Sequence, residues 1–263
     1  MSEKIIFLVP PSKEKKIPDR IFGCNMAYFF QHNIFMLYPA TLLKEKGFDV
    51  EVIDCVVENK PLEKVITKKP DVVVFYSVFL SRDKDIKIAK YLKKKLKNLK
   101  IIFMGSDPSY KPDNYLVDKD FYVVRGEPEY TTLELIKNIE RKDVSEVESV
   151  SWLKNNKIID NKTRGIIKDI DKLPFPDRTL LKQPFKYFNA KLKKIPTTTI
   201  LTSRNCPFKC YYCVPNSLSF ARELEYKRFY NKKPPVTKRS PENIIKEFKE
   251  IKKLGYKSVF ILD

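Results

Sequence analysis

An α/β fold, with a doubly wound parallel sheet in its N-terminal half, is predicted by three features of the sequence. Short β-branched runs alternate with amphipathic stretches from Lys4 to about Ile139. The runs are predominantly apolar rather than strictly alternating, as strands are when helices cover both faces of their sheet. Glycine is scarce, six residues in 263, yet Gly105 and Gly126 each follow a predicted strand directly. That is the carboxyl edge, where open α/β sheets bind ligands.

The predicted strands are Ile5–Val9, Asp49–Asp54, Asp71–Tyr76, Lys100–Met104 and Phe121–Val124. The first is too short for a signal-peptide core and is stopped by Pro10-Pro11. Between the strands, a helix from about Met36 to Lys46 ends at Gly47, a left-handed cap. Ser81 is placed to cap a helix from about Arg82 to Leu96, whose Ala89, Leu92 and Leu96 share one face. Pro128 suits the first turn of a helix running to about Ile139. Five βα units in this order make a Rossmann-like or flavodoxin-like domain, assigned to residues 1–145.

Residues 146–190 read as a hairpin and a linker. Val147, Val150, Trp152 and Leu153 lead into an Asn155-Asn156 turn and then Ile158-Ile159. The segment Asp169–Asp177, with its Leu173-Pro174-Phe175-Pro176-Asp177, is stiffened by proline, and the boundary falls between about Lys168 and Asn189. From residue 191 onward, an apolar β-branched run ends at Thr199-Ile200-Leu201. A cysteine-rich turn follows, then a stretch without clear periodicity from Pro215 to Thr237. Ser240 then caps a helix with Pro241 in its first turn, Glu242 against the dipole, a core face of Ile244, Ile245, Phe248 and Ile251, and Gly255 at its end. Lys257–Asp263 is the next strand.

With 43% hydrophobic and 13% aromatic residues the chain is built to fold. No apolar run approaches the roughly 18 residues of a spanning helix. Five cysteines, three of them clustered, argue for a reducing cytosol rather than a disulfide framework. Net charge is 52 − 33 = +19, which alone would admit a nucleic-acid partner. The lysines, such as Lys87, Lys90, Lys93, Lys94, Lys95 and Lys97, are spread along predicted helix surfaces, so nucleic-acid binding is disfavoured.

The chemistry-bearing stretch is Thr202-Ser203-Arg204-Asn205-Cys206-Pro207-Phe208-Lys209-Cys210-Tyr211-Tyr212-Cys213, with cysteines spaced C-x3-C-x2-C. Thiolates this close in sequence converge on one soft metal centre, zinc, copper(I) or iron-sulfur. Tetrahedral zinc wants a fourth ligand. The remaining candidates, Cys24, Cys55 and the single histidine His32, all lie far upstream. Three local sulfurs suit a 4Fe-4S cluster with one iron open to a non-protein ligand, and a zinc knob remains the alternative.

C-x3-C-x2-C in the loop after a strand, with Tyr212 before the last cysteine, resembles the signature of radical S-adenosylmethionine (radical SAM) enzymes. The resemblance implies Cys206, Cys210 and Cys213 as cluster ligands, with S-adenosylmethionine on the open iron. Its reductive cleavage would give a 5′-deoxyadenosyl radical, the protein positioning the cofactor. Tyr212 would pack near the adenine and Asp263 near the methionine amino group. An electron donor such as flavodoxin or ferredoxin and a small-molecule substrate are further expectations of the resemblance. A radical SAM core is a partial six-unit (β/α) barrel, of which this sequence supplies the first βαβ unit, so the chain reads as a C-terminally truncated member.

The N-terminal segment, through Leu37-Tyr38-Pro39, Gly105-Ser106-Asp107-Pro108 and Val124-Arg125-Gly126-Glu127-Pro128-Glu129, resembles the cobalamin-binding domain that precedes many radical SAM cores. The resemblance places Ser77, Gly105, Ser106, Gly126 and Glu127 along the corrin. The D-x-H-x-x-G motif of histidine-ligated cobalamin is absent, since His32 has Phe30 two residues before it and Phe35 three after. The resemblance therefore implies cobalamin held without histidine ligation, or a domain that has kept the fold alone. Bland roles are expected for His32, in core or surface, and for Asp54, capping a turn. The reading is a cobalamin-dependent type of radical SAM protein, with methyl transfer among the reactions the resemblance allows. A non-catalytic cobalamin- or partner-binding module with an inert barrel stub is the alternative.

Overall fold

The structure is a computed structural model of the chain; it describes residues 3–12, 17–23, 25–27, 29–59, 62–139, 143–208 and 210–263. Five parallel strands form its centre: β1 (Lys4–Val9), then, after the short β2 (Ile17–Pro18) and β3 (Met26–Ala27), β4 (Asp49–Asp54), β5 (Val72–Tyr76), β6 (Lys100–Met104) and β7 (Phe121–Val124). Their order is β4-β1-β5-β6-β7. The chain therefore reverses its direction of winding between β1 and β5, the switch point of a flavodoxin-like sheet.

Alternation along the strands divides the core in two. Ile5, Phe7, Val72, Val74, Ile102, Met104 and Val124 face α1 (Ile34–Glu45) and α5 (Pro128–Ile139). Ile6, Leu8, Ile53, Val73, Phe75, Ile101, Phe103 and Val123 face α2 (Glu63–Thr67) and α3 (Arg82–Lys95). With both faces buried, the central strands β5 and β7 are apolar at every position and β1 and β6 at all but their leading lysine, whereas the edge strand β4 alternates with acidic residues. Asn33 caps α1 by accepting from the Phe35 amide. Ser81 does not cap α3 as expected: its hydroxyl is engaged by Arg20, Asp85 and the Val78 backbone instead.

The hairpin β8 (Val150–Lys154) and β9 (Lys157–Asp160) is antiparallel and pairs with β7, extending the N-terminal sheet to seven strands. Asn155 and Asn156 both have positive φ (51° and 60°), as a two-residue hairpin turn requires. The proline-rich linker then crosses α1, where the Asp177 amide donates to Thr41 Oγ1.

In the second unit, β10 (Thr197–Ile200) pairs in parallel with β13 (Ser258–Ile261) across α7 (Pro241–Lys253). Between them lie α4's partner α6 (Ser217–Tyr230) and a small ladder of β11 (Ser203–Arg204) with β12 (Thr237–Lys238); α4 itself is Ser106–Tyr110. Ser240 caps α7 as the sequence implies. Its expected core face is only partly realised: Ile251 is buried while Ile245 is 52% exposed. A 14-residue helix, α6, stands where no periodicity was evident. Its buried residues include Ser217, Ser219, Arg222 and Glu225, so no apolar stripe marks it. The two-stranded β10–β13 sheet forms no closed barrel among the described residues.

Candidate functional site: a cysteine cleft beside the sheet edge

The cysteine loop leaves β10 through Thr202 and Ser203, whose backbone amides donate to the Asp263 carboxylate at 2.7 and 2.9 Å. Asp263 therefore ties the end of β13 to the start of the loop. Cys206, Cys210 and Cys213 are free and exposed, and the Cys213 amide donates to the Cys210 carbonyl at 3.2 Å, so the C-x2-C pair forms a turn. All three cysteines line one cleft of about 710 Å³, together with Asp263, Phe208 and Tyr211. Tyr212 is 89% exposed and stands outside that lining, where its neighbour Tyr211 is found. Lys209 lies outside the described residues.

Among the described residues no three His, Cys, Asp or Glu side chains converge at metal-binding distance. The loop gathers its thiols in one cleft without closing them on a point. Cys55 is buried at the end of β4 in the core beneath α2 and α3, and His32 is buried against Tyr187 and Thr198. Cys24 lies outside the described residues. Neither Cys55 nor His32 lines the cleft, so among the described residues no further thiolate or imidazole joins the three cysteines there.

The residues expected along a corrin are at the carboxyl edge of the sheet, and protein covers each of them. Ser77 is fully buried and donates to Asp85 at 2.7 Å, while Arg20, from the segment after β2, grips Asp85 through both terminal nitrogens at 2.7 and 2.8 Å. Gly105 has φ +116°, and a Cβ there would lie 2.4 Å from the Ser77 carbonyl; strand packing accounts for this glycine. Ser106 is buried. Gly126 lies under α6, where an added Cβ would meet that of Glu225 at 3.1 Å. Glu127 is committed to ion pairs.

What the edge leaves open is a cavity of about 310 Å³ at the ends of β1 and β4. Its walls combine aromatic and aliphatic groups, Phe22, Phe29 and Phe30 among them, with the amides of Asn25, Gln31 and Asn189. Phe22 lines this cavity and the cysteine cleft alike, so the two adjoin. Asp54, at the cavity margin, accepts from the Val56 and Val57 amides and the Tyr187 hydroxyl, a turn-capping role.

A buried charge network joins the two units. Arg204, two residues before Cys206, donates to Glu127 at 2.6 Å and Glu129 at 2.7 Å. Arg222 of α6 adds an ion pair to Glu127 at 3.4 Å and donates to the Asn205 side chain. Burial alone would lower the Arg204 pKa, but Glu129 and Glu127 outweigh it and raise it, so the guanidinium stays charged. Two carboxylates and two guanidinium groups thus neutralise one another out of water, which tolerates such burial only when the charges are paired. Beside them, Arg125 pairs with Glu225 at 2.9 Å. Sequence reasoning missed Arg125, Arg204, Arg222 and Glu225; the available signals were Arg204 next to the cysteines and Asn216 as the cap of α6.

Residues 23–136 match the B12 binding domain family. The chain is 28% identical over 226 residues to an uncharacterized methyltransferase, PH0819, of Pyrococcus horikoshii, covering 83% of this chain and 46% of that protein. Its fold is similar to that of the cobalamin-dependent S-adenosylmethionine radical enzyme OxsB, solved with aqua-cobalamin and S-adenosylmethionine bound (TM-score 0.72, 18% identity, 99% of this chain and 34% of that one). It is also similar to the radical S-adenosylmethionine methyltransferase TsrM of Kitasatospora setae (TM-score 0.61, 14% identity, 98% and 48%). The chain spans less than half the length of each of these relatives. Over residues 23–136 the chain is thus similar to the B12 binding domain family, and its fold as a whole is similar to part of the cobalamin-dependent radical SAM enzymes.

Proposed function

We propose that this chain binds a 4Fe-4S cluster through Cys206, Cys210 and Cys213, S-adenosylmethionine in the cleft beside it, and cobalamin at the adjoining sheet edge, as part of a radical SAM methyl-transfer enzyme. One observation carries the reading: three exposed cysteines line a cleft that shares Phe22 with the cavity at the carboxyl edge of the N-terminal sheet. The cluster and S-adenosylmethionine would supply radical generation, and cobalamin a methyl carrier.

The chain's own residues have simpler tasks. The cysteines donate thiolates, and Phe208 and Tyr211 line the cleft beside them. Asp263, held by the Thr202 and Ser203 amides, presents a carboxylate on the same wall. In the adjoining cavity, apolar rings and the amides of Asn25, Gln31 and Asn189 suit an amide-rimmed macrocycle, of which a cavity this size takes one sector. The exposed Lys232 on the cleft rim gives a positive margin toward which an acidic electron donor would be steered.

Anaerobic reconstitution with iron and sulfide tests the cluster. The wild type should take up about four irons per chain with broad visible absorbance, and Cys210→Ala should lose both. Stoichiometric zinc and no iron would refute the assignment. Titration with hydroxocobalamin tests the sheet edge separately, and an unchanged spectrum would leave that domain a scaffold.

A further inference from the structure

The cysteine loop is held at both ends, and the holders belong to the N-terminal sheet. At its start, Arg204 is clamped by Glu127 and Glu129, which lie just beyond β7. At its end, the Ser217 hydroxyl meets the Tyr76 hydroxyl at 2.9 Å and donates to the Arg20 carbonyl, while the Ser217 amide donates to the Ile21 carbonyl at 2.6 Å. Tyr76 is the last residue of β5. The two roots also meet one another: the Asn205 amide donates to Ser219 Oγ at 3.2 Å, and Arg222 donates to the Asn205 side chain and the Arg204 carbonyl. The result is a compact loop whose closed base is buried and whose tip carries the exposed thiols.

Each holding group is nearly removed from water: Arg204 is 2% exposed, Glu129, Ser217 and Tyr76 0–1%. In that environment a paired carboxylate fixes its partner's direction as well as its distance, because the guanidinium fork accepts few geometries. An interface built only of leucines would hold the loop without fixing its register.

We propose that Glu127, Glu129 and Tyr76, residues of the N-terminal unit, are positioning residues for the cysteine loop, setting where its three thiols stand relative to the sheet edge. The assignment of Glu127 to a corrin face gives way here to a role exerted through Arg204. The proposal rests on the reading that the loop carries a cluster, but the placement of the loop is measurable without one.

The test uses the full chain and three variants, Glu129→Gln, Glu127→Gln and Tyr76→Phe, each close to isosteric. Hydrogen exchange on the metal-free protein should show amides of residues 203–219 exchanging at least tenfold faster in each variant, with β1, β5 and β6 unchanged. After anaerobic reconstitution, transfer of iron to a chelator should accelerate by a similar factor, with an altered electron paramagnetic resonance signal of the reduced cluster. Unchanged loop exchange in both Glu129→Gln and Tyr76→Phe would overturn the proposal, as would acceleration spread evenly over the sheet, which marks a purely structural role. Should the glutamine variants fail to fold, Tyr76→Phe alone decides, since it removes one hydroxyl. If the wild type takes up no iron, the cluster reading fails while the exchange data still decide whether the sheet edge holds the loop.

Discussion

Replacing Glu225 with glutamine isolates the contribution of a buried charge to docking of the second unit. Arg125 is fully buried and Glu225 is 2% exposed, with 2.9 Å between Nε and Oε2. Removing one member of such a pair costs about 3–5 kcal/mol, because its partner's charge is left without compensation. Glu225→Gln should fall at the low end, about 3 kcal/mol, since Asp160 remains 3.5 Å from Arg125 and Ser151 and the Asn161 carbonyl still accept from it. Arg125→Met should approach about 5 kcal/mol, because Glu225 would keep only the Ser149 hydroxyl. The double variant has no orphaned charge and should cost well below the sum, giving a coupling of about 3 kcal/mol. Urea unfolding can be followed by the single tryptophan, Trp152, whose indole donates to Asn161, the residue whose carbonyl Arg125 engages. Additivity of the two single changes to within about 0.5 kcal/mol would refute the argument.

Two other perturbations test single positions. Gly105→Ala should destabilise by more than about 3 kcal/mol, combining a positive-φ penalty with a Cβ forced to 2.4 Å from the rigid Ser77 carbonyl, and a melting temperature within 2–4 °C of wild type (about 1 kcal/mol for a chain of this size) would contradict it. His32 is buried, with burial and then the Arg178 charge lowering its pKa from 6.5 to about 3. The folded chain keeps it neutral while the unfolded chain protonates it below 6.5, so stability present at neutral pH is lost as pH falls toward 3. Between pH 7 and pH 5 this amounts to about 2 kcal/mol, and His32→Gln should lose that much less over the same interval in urea titrations. Identical losses in the two proteins would remove His32 from the account.

The parallel sheet was legible because strands buried on both faces are rich in apolar, β-branched residues, and β4, β6 and β7 begin and end where the predicted strands do. Helix α5 was legible through Pro128, and α7 through Ser240-Pro241-Glu242, since capping chemistry is local. The short α2 and α4, too brief to establish a period, left no signal. Helix α6 was hidden for a different reason. Its buried face is hydrophilic because the surface it meets is charged, and the partners lie far away in sequence, with Arg125 and Glu225 100 residues apart. Periodicity detects burial against oil, and it is blind to burial against an opposite charge. The same blindness affects the candidate site. Cysteine spacing announced the loop, but the Arg-Gly-Glu-Pro-Glu turn read as a ligand face because its actual partners, Arg204 and Glu225, could not be paired with it from sequence alone.

The interface also explains how one chain places the cysteine cleft beside the cavity at the sheet edge. An apolar core already unites its parts, since Leu201, Leu218 and Leu262 pack into the same cluster as Ile5, Phe35 and Leu135. Such contacts are non-directional, and they would tolerate a shift of the second unit by a fraction of a helical turn. Arg125, Arg204 and Arg222 supply the missing direction, because each must meet its carboxylates across the interface at close range or remain charged in a dry interior. Burying those charges gives up stability that an all-apolar interface would have gained. What it secures is a fixed register between the sheet edge and the cysteine loop, with Phe22 lining both spaces.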